Sequence, residues 1–206
     1  MKIALLGAES TGKTDLSLRM AAALRARGHR VAVVPEVLRE WCVREGRTPR
    51  PEEQLPIARE QEQRVDAAAM AADIVIADTT ALMVAVYSAM LFDDGTLYRF
   101  ALERQRGYGL TLVTGLDLPW VADGLQRDGP HVREPVDALV REGLHKAGVP
   151  YRVVYGSGEE RTRNALAPVL AALGQPPANS APVRWKWVCD TCSDPDCEHR
   201  LFKLGG

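Results

Sequence analysis

Short, uninterrupted apolar segments alternate along this chain with longer segments of mixed polarity. Five of the apolar segments have the length of strands and are bounded by glycine or charged residues: 2–6, 30–34, 73–77, 110–114 and 151–155. Strands that are apolar throughout, rather than at alternate positions, are typical of a parallel sheet covered by helices on both faces. The pattern therefore predicts an α/β fold built on a five-stranded, doubly wound parallel sheet.

The segments between these strands carry helical patterns. The first predicted helix begins at Lys13 and ends near Gly28. Its residues expected to face the sheet are Leu16, Met20, Ala23 and Leu24. A long, partly exposed helix is predicted over 51–72, and one or two more over 81–106. Residues 117–135 break the pattern with glycines, prolines and charges, which is typical of a loop beside an active site.

The junction between the first strand and the first helix carries a complete phosphate-binding motif. Residues 7–14 read Gly-Ala-Glu-Ser-Thr-Gly-Lys-Thr, which matches G-x-x-x-x-G-K-[ST]. In such a loop, backbone N–H groups and the helix N-terminus attract phosphate oxygens. We expect ATP and Mg²⁺ to bind here, with Lys13 on the β and γ phosphates and the Thr14 hydroxyl on the metal. The predicted cofactor-binding residues of the loop are Gly7, Glu9, Ser10, Thr11, Gly12, Lys13 and Thr14.

The third strand is followed by Asp78, at the sheet edge where the phosphate loop is expected. Asp78 is predicted as a catalytic residue and second magnesium contact; the alternative is that Asp78 or Thr79 caps the next helix. A mechanical ATPase usually has a Glu after this Asp, and its absence favours transfer to a substrate over hydrolysis. Residues 114–117, Thr-Gly-Leu-Asp, lack the lysine of a guanine-binding signature, which disfavours a GTPase.

Charged residues also follow the second strand. Glu36, with Arg39 and Glu40 one helical turn later, can line a pocket opposite the phosphate loop. Glu36 is predicted as the catalytic base or hydroxyl-positioning group, and Arg39 as a substrate contact; whether Glu36 or Asp78 is the base stays open. The alternative is an ordinary solvated helix start with i,i+4 pairs.

Composition and charge favour an enzyme acting on small molecules. The 206 residues have a formal net charge of −1 and no long Lys/Arg block, which disfavours nucleic-acid binding. No apolar run approaches the roughly 20 residues that span a bilayer, so no membrane partner is expected. A secretory signal would have to include the first strand, so we expect a cytoplasmic protein. The length suits one main domain.

The C-terminal segment differs from the rest of the chain. Residues 174–182 are predicted to be a linker, and 183–206 form a Cys/His-rich tail. The spacing C-x2-C-x4-C-x-H provides four ligands for a structural zinc knuckle, and these are Cys189, Cys192, Cys197 and His199. Metal would then supply the folding energy that so short a tail lacks. The alternative is a reduced, flexible tail.

Several motifs together resemble a known family. They are residues 7–14, 35–40 (Pro-Glu-Val-Leu-Arg-Glu), 77–80 (Ala-Asp-Thr-Thr), Tyr87 and 119–127 (Pro-Trp-Val-Ala-Asp-Gly-Leu-Gln-Arg). In order and spacing they resemble the NadR-like ribosylnicotinamide kinase domain, a P-loop kinase family related to AAA-type ATPases. The resemblance covers residues 1 to about 173 and implies phosphoryl transfer from ATP to the 5′-hydroxyl of nicotinamide riboside. Thr80 departs from the family, where an acidic residue is more typical.

The resemblance also implies roles for residues of the 119–127 motif. Trp120 would stack on a flat, cationic base, with Asp123 as a further substrate contact. Arg127, alone or with Arg133, would close over the transferring phosphoryl group as a catalytic residue. After the fifth strand, residues 156–158 (Gly-Ser-Gly) with Arg161 or Arg163 occupy a place where related folds hold adenine. The adenylyltransferase and DNA-binding parts of the bifunctional regulators have no counterpart in these motifs.

Two functional hypotheses follow. The first is an ATP- and magnesium-dependent kinase domain, residues 1–173, that phosphorylates a nucleoside hydroxyl and can form a homo-oligomer. The second is a regulatory ATPase or nucleotide-switched binding protein whose zinc tail contacts a partner. The first predicts product formation that depends on an acceptor; the second predicts ATP turnover that no acceptor changes.

Overall fold

The computed structural model of the chain describes residues 1–121 and 129–175. Its five strands are β1 (Lys2–Leu6), β2 (Val31–Val34), β3 (Ile74–Asp78), β4 (Leu110–Thr114) and β5 (Arg152–Val154). All neighbouring strands pair in parallel, in the order β2-β3-β1-β4-β5. The predicted five-stranded parallel sheet is therefore confirmed.

Seven helices lie in the described ranges. They are α1 (Lys13–Arg25), α2 (Val37–Glu45), α3 (Pro51–Ala69), α4 (Ala81–Phe92), α5 (Leu97–Gln105), α6 (Arg133–Lys146) and α7 (Gly158–Ala172). The segment 81–106 forms two helices because Asp93, with φ 53°, ends α4 in the left-handed conformation. The predicted loop 117–135 extends too far, since α6 begins at Arg133.

Helices cover both faces of the sheet, as predicted. On one face α1 and α7 pack against the sheet, and the fully buried contacts include Leu16, Met20, Ile76 and Val169. On the other face the larger core involves α2 to α6, with Trp41, Ile57, Leu82 and Val140 among its buried residues. Polar groups of the sheet are therefore accessible mainly at its edges, where the loops lie.

The strand order fixes the position of the site. The chain leaves β1 at the centre of the sheet, and the following strands lie on both sides of it, which makes the carboxyl end of β1 a topological switch point. The register of β1 and β3 pairs Leu5 with Asp78, and the Thr79 N–H donates a 3.0 Å hydrogen bond to the Leu5 carbonyl. The phosphate loop and the end of β3 are thereby neighbours.

Several predicted features lie outside the described residues. They are Asp123, Arg127, the linker beyond residue 175, and the tail with Cys189, Cys192, Cys197 and His199. Within ranges 1–121 and 129–175, no group of three or more His, Cys, Asp or Glu residues could hold a metal ion. In the same ranges, no helix is long and apolar enough to cross a membrane.

Candidate functional site

The phosphate loop is held against β4 by threonine hydroxyls. Gly7 adopts φ 142°, and a Cβ built there would lie 2.0 Å from Thr114 Oγ1, so no larger residue fits. Thr114 Oγ1 lies 2.6 Å from Thr11 Oγ1 and donates to the Leu6 carbonyl. The Thr11 hydroxyl donates to the Ala8 carbonyl at 2.8 Å. These contacts hold the start of the loop and Thr11 in its middle against the end of β4.

Lys13 lies at the centre of this loop. Its Nζ donates to the carbonyls of Gly7 at 2.9 Å and Ala8 at 2.8 Å. Burial lowers the pKa of Lys13, because removal from water disfavours the ammonium form. The carboxylates that oppose this pKa shift are those of Glu36, Asp78 and Glu9. The Lys13 side chain is therefore buried where phosphate oxygens are expected.

Thr14 and Asp78 meet at the edge of the loop. The Thr14 hydroxyl donates a 2.6 Å hydrogen bond to Asp78 Oδ2. Asp78 is 2% exposed, and its other oxygen, Oδ1, is buried with no hydrogen-bond partner in the described part of the chain. Mg²⁺ prefers hard oxygen ligands, and it commonly takes one or two protein oxygens together with substrate phosphates. The Thr14 hydroxyl and the unpaired oxygen of Asp78 are therefore of the chemical type that could hold Mg²⁺.

The turn after Asp78 shows which residue caps the following helix. Helix α4 is capped by Thr80, whose Oγ1 accepts a 3.2 Å hydrogen bond from the Leu82 N–H, so the capping alternative for Asp78 and Thr79 is wrong. Thr79 has φ 75°, which is uncommon for a β-branched residue and costs conformational energy. The chain thus keeps a strained turn directly beside the carboxylate of Asp78.

A cavity of about 210 Å³ opens beside the loop, far larger than the roughly 10–15 Å³ that one water requires. Its polar lining is Glu9, Lys13, Glu36, Arg39, Thr48 and Gln54. Its apolar lining is Leu38, Pro49, Tyr87, Met90, Leu91, Val132 and Val136. We call it the acceptor cavity. A mixed lining of this kind is typical of sites that hold small organic molecules.

A second cavity lies on the open face of the phosphate loop. It is lined by residues 10–15, with Arg39, Leu118, Pro119 and Val121. Its rim is held by Ser10, whose Oγ accepts a 2.7 Å hydrogen bond from the Val121 N–H. We call it the loop cavity. Lys13 and Arg39 line both cavities, so the two spaces meet at these side chains.

Most of the chain matches a protein-family model. A family model described as an AAA domain matches residues 2–161, which cover β1 through the start of α7. The chain belongs to this family. No curated protein matches it.

Solved structures share the fold of this AAA-domain chain. A NadR protein in complex with NR superposes with a TM-score of 0.72 at 17% sequence identity, covering 87% of this chain and 53% of that one. A NadR protein in complex with NAD and AMP-PNP gives 0.66 at 18% identity, covering 86% and 51%. The chain thus spans about half the length of both NadR chains. Deoxyadenosine kinase from M. mycoides with bound dCTP gives 0.55 at 15% identity, covering 83% and 100%.

In the AAA-domain chain, Glu36 and Arg39 lie together in the acceptor cavity. Glu36 Oε2 is 3.5 Å from Arg39 Nε, and the Glu36 side chain is largely buried while that of Arg39 is partly exposed. Glu40 was expected to line the same pocket, and this prediction is wrong. Its carboxylate instead accepts a hydrogen bond from Arg64 on α3, outside the cavity lining.

Arg161 lies under the phosphate loop. Its side chain is almost completely buried and donates to the carbonyls of Thr11 (3.0 Å), Gly115 (3.3 Å) and Gly156 (2.9 Å), and to Asp117 Oδ1 (2.9 Å). These hydrogen bonds tie α7 to the loop from below. Arg161 was predicted to lie near adenine, and its contact with the base stays a prediction.

Two further predicted residues lie near the 117–121 segment. Trp120 is half-buried and is not among the described residues that line the acceptor cavity, so its stacking on a substrate stays a prediction. Arg133 is largely buried at the start of α6 and donates to the Leu116 carbonyl at 3.2 Å. Burial lowers the pKa of Arg133, with Asp117 and Glu9 acting in the opposite direction.

Two residues of α3 position the site and were missed in the sequence. Gln61 accepts a 2.9 Å hydrogen bond from the Val37 N–H and donates to the Pro35 carbonyl at 3.3 Å, which fixes both sides of Glu36. Glu62 accepts a 3.0 Å hydrogen bond from the Ala81 N–H, at the start of α4. Gln54 and Gln61 are seven residues apart on the stripe that also buries Ile57, Ala58 and Val65, but the charged and amide residues around them mask this pattern in the sequence.

Proposed function

We propose that the chain is an ATP- and magnesium-dependent kinase that phosphorylates a hydroxyl group of a nucleoside, with nicotinamide riboside as the first acceptor to test. The supporting observation is the meeting of the loop cavity and the acceptor cavity at Lys13 and Arg39. An enzyme that only hydrolyses ATP needs space for a water, whereas the acceptor cavity is large enough for an organic molecule.

Solved structures with the same fold add to this proposal. The NadR protein was crystallised with NR, and the deoxyadenosine kinase with dCTP, so proteins of this fold bind nucleoside-like molecules. At 15–17% identity these structures support the fold alone. The acceptor of this chain has to be identified by experiment.

The nucleotide end of the site is formed by Lys13 and the loop amides. When phosphate enters, the Lys13 ammonium exchanges its bonds to the Gly7 and Ala8 carbonyls for phosphate oxygens. Thr14 and Asp78 would hold magnesium, which would neutralise charge on the phosphates. Arg39 and Lys13 place two positive charges where the cavities meet, and such charges stabilise the transferring group most in the transition state.

Glu36 is the proposed general base. It lines the acceptor cavity, whereas Asp78 is absent from the described lining and already accepts a hydrogen bond from Thr14. The acceptor hydroxyl oxygen bonds to the γ phosphorus of ATP while the bond from that phosphorus to the β–γ bridging oxygen breaks. The hydroxyl proton passes to the Glu36 carboxylate, and ADP leaves.

A coupled assay with ATP, magnesium and a panel of nucleosides tests the proposal. We expect one or more nucleosides to yield a phosphorylated product, and Lys13→Ala to reduce that yield by about 10²-fold or more. Lys146→Ala is the matched control, because Lys146 is exposed on α6 and pairs only with Glu142 on its own helix among the described contacts. ATP turnover that no nucleoside changes would instead support a regulatory ATPase.

A further inference from the structure

Gln54 lines the acceptor cavity with an unsatisfied amide. It lies in the first turns of α3 and is only 1% exposed. Its nitrogen Nε2 lies 3.5 Å from the Pro49 carbonyl, and its oxygen Oε1 is buried with no hydrogen-bond partner in the described residues. A carbonyl can only accept hydrogen bonds, so Pro49 fixes the nitrogen on its own side and leaves the oxygen without a donor.

A buried acceptor without a donor is unusual in a folded protein. Most such groups are paired, and the exceptions usually have a functional explanation. Gln61, on the same helix, differs in this respect, because its oxygen accepts a hydrogen bond from the Val37 N–H and its nitrogen donates to the Pro35 carbonyl. Of these two glutamines on one face of α3, the side-chain oxygen of Gln61 has a hydrogen-bond donor and that of Gln54 has none in the described residues. Gln54 is the one that lines the acceptor cavity.

The position of Gln54 along α3 can be compared with that of Gln61, which holds the turn that carries Glu36. Gln61 flanks Glu36, and Gln54 lies seven residues earlier, which is about 10 Å along a helix and nearly two full turns. That separation is comparable with the length of a nucleoside. With its hydroxyl at Glu36, an acceptor would therefore present the far edge of its base near Gln54.

The rest of the cavity supports this orientation. Leu38, Tyr87, Met90 and Leu91 provide apolar and aromatic surface suited to a flat ring. Glu9 carries a second buried carboxylate oxygen, Oε2, with no hydrogen-bond partner in the described chain. Glu9 and Gln54 both line the cavity. Its lining residues therefore carry two buried acceptor oxygens that have no hydrogen-bond donor in the described chain.

From this geometry, and on the basis of the proposed kinase function, we propose that Gln54 selects acceptors whose base carries an N–H donor. A carboxamide or an exocyclic amine would donate to Oε1, while a carboxylate at the same place would face an oxygen and leave both groups unpaired. A site built to pair with an N–H rejects the analogue that lacks it more strongly than a purely apolar site would. The expected substrates are amide- or amine-bearing nucleosides.

The test compares matched acceptors. Nicotinamide riboside and nicotinic acid riboside differ only in carboxamide against carboxylate; adenosine and purine riboside differ only in the 6-amino group. We expect the donor-bearing member of whichever pair is turned over to have at least about a tenfold higher kcat/KM. Gln54→Met, which keeps the side-chain length without the amide, should reduce this ratio to about threefold or less, chiefly through the KM of the donor-bearing member.

The matched control is Gln63→Met, a glutamine exposed on the same helix, which should leave the ratio unchanged. Retained ATP affinity and far-UV circular dichroism would show that Gln54→Met is folded. Equal efficiency within each turned-over pair, or an equal loss for both members in Gln54→Met, would overturn the role of Gln54 while the kinase function stands. Turnover of no nucleoside would overturn both.

Discussion

The hydroxyl of Thr14 donates a 2.6 Å hydrogen bond to Oδ2 of Asp78, which lies 64 residues later in the chain. The contact forms because β1 and β3 are neighbours, so the residues after their carboxyl ends meet at one edge of the sheet. It leaves Asp78 Oδ1 without a hydrogen-bond partner in the described residues. A hydroxyl oxygen and a carboxylate, both of the type that a hard cation prefers, are thus adjacent in the described structure.

Removing the charge of Asp78 should weaken magnesium binding. Asp78→Asn keeps the side-chain size but replaces a carboxylate oxygen with an NH2 group, which repels a cation. We expect the magnesium concentration for half-maximal activity to rise, and kcat to fall by about 10²-fold. A magnesium titration of product formation measures both. Asp94→Asn, in the exposed turn before α5, is the control, and equal magnesium dependence in the two variants would contradict the assignment.

Glu36 and Glu40 form a natural pair for testing the general base. Both carboxylates belong to the start of α2, yet only Glu36 lines the acceptor cavity, while Glu40 binds Arg64. Glu36→Gln should lower kcat by about 10²–10⁴-fold, because the amide cannot accept the hydroxyl proton. Glu40→Gln should leave kcat nearly unchanged. Steady-state kinetics on the best acceptor would decide, and similar kcat values for the two variants would exclude Glu36 as the base.

Gln61 should contribute to stability as well as to activity. Gln61→Leu removes the partners of the Val37 N–H and the Pro35 carbonyl, and each buried polar group left unpaired costs about 1–3 kcal/mol. We expect a lower urea midpoint and a lower kcat, since the turn that carries Glu36 loses its support. Gln63→Leu changes an exposed residue of the same helix and should alter neither. A destabilised variant with unchanged kcat would show that Gln61 acts on the fold alone.

The ion pair of Arg30 and Asp73 should make stability depend on pH. The Asp73 carboxylate accepts hydrogen bonds from the side chain and backbone N–H of Arg30, and they lower the pKa of Asp73 to about 2 from its usual 3.8. A depressed folded-state pKa stabilises the protein above the usual value, and the gain disappears as the pH falls from about 4 towards 2.

Asp73→Asn tests this dependence. The variant should have a lower urea midpoint than the wild type at pH 7, and the difference should shrink as the pH is lowered below 4. Arg30→Gln should behave in the same way, because it removes the same interaction from the other side. Urea unfolding between pH 7 and 3 provides the measurement. A difference that is constant over this range would mean that charge is not its source.

Local sequence patterns were sufficient to predict residues whose position depends only on the strand directly before them in the chain. The motif 7–14 and the apolar strands determine the loop and the sheet, because the loop follows its strand directly and parallel strands are buried on both faces. Glu36 and Asp78 could be found for a similar reason, since each comes just after a strand at the sheet edge. The strand order then brings them together without further information.

The supporting residues could not be predicted in this way. Gln61 and Glu62 lie in a helix rich in charged and amide side chains, where the sequence does not distinguish buried residues from exposed ones such as Gln63. Their burial depends on how α3 packs against α2 and α4, which is tertiary information. The prediction that Glu40 lines the pocket was wrong for the same reason, because its partner Arg64 lies on another helix.

The hydrogen bond from Arg161 to the Thr11 carbonyl joins residues 150 positions apart. A ribosome delivers the N-terminal residues first, so β1 and the phosphate loop emerge long before the helix that supports them. Contacts of such large sequence separation form late, because a long stretch of chain must be ordered before they can close. The phosphate loop is therefore synthesised well before α7, and a growing chain that ends before α7 lacks this support.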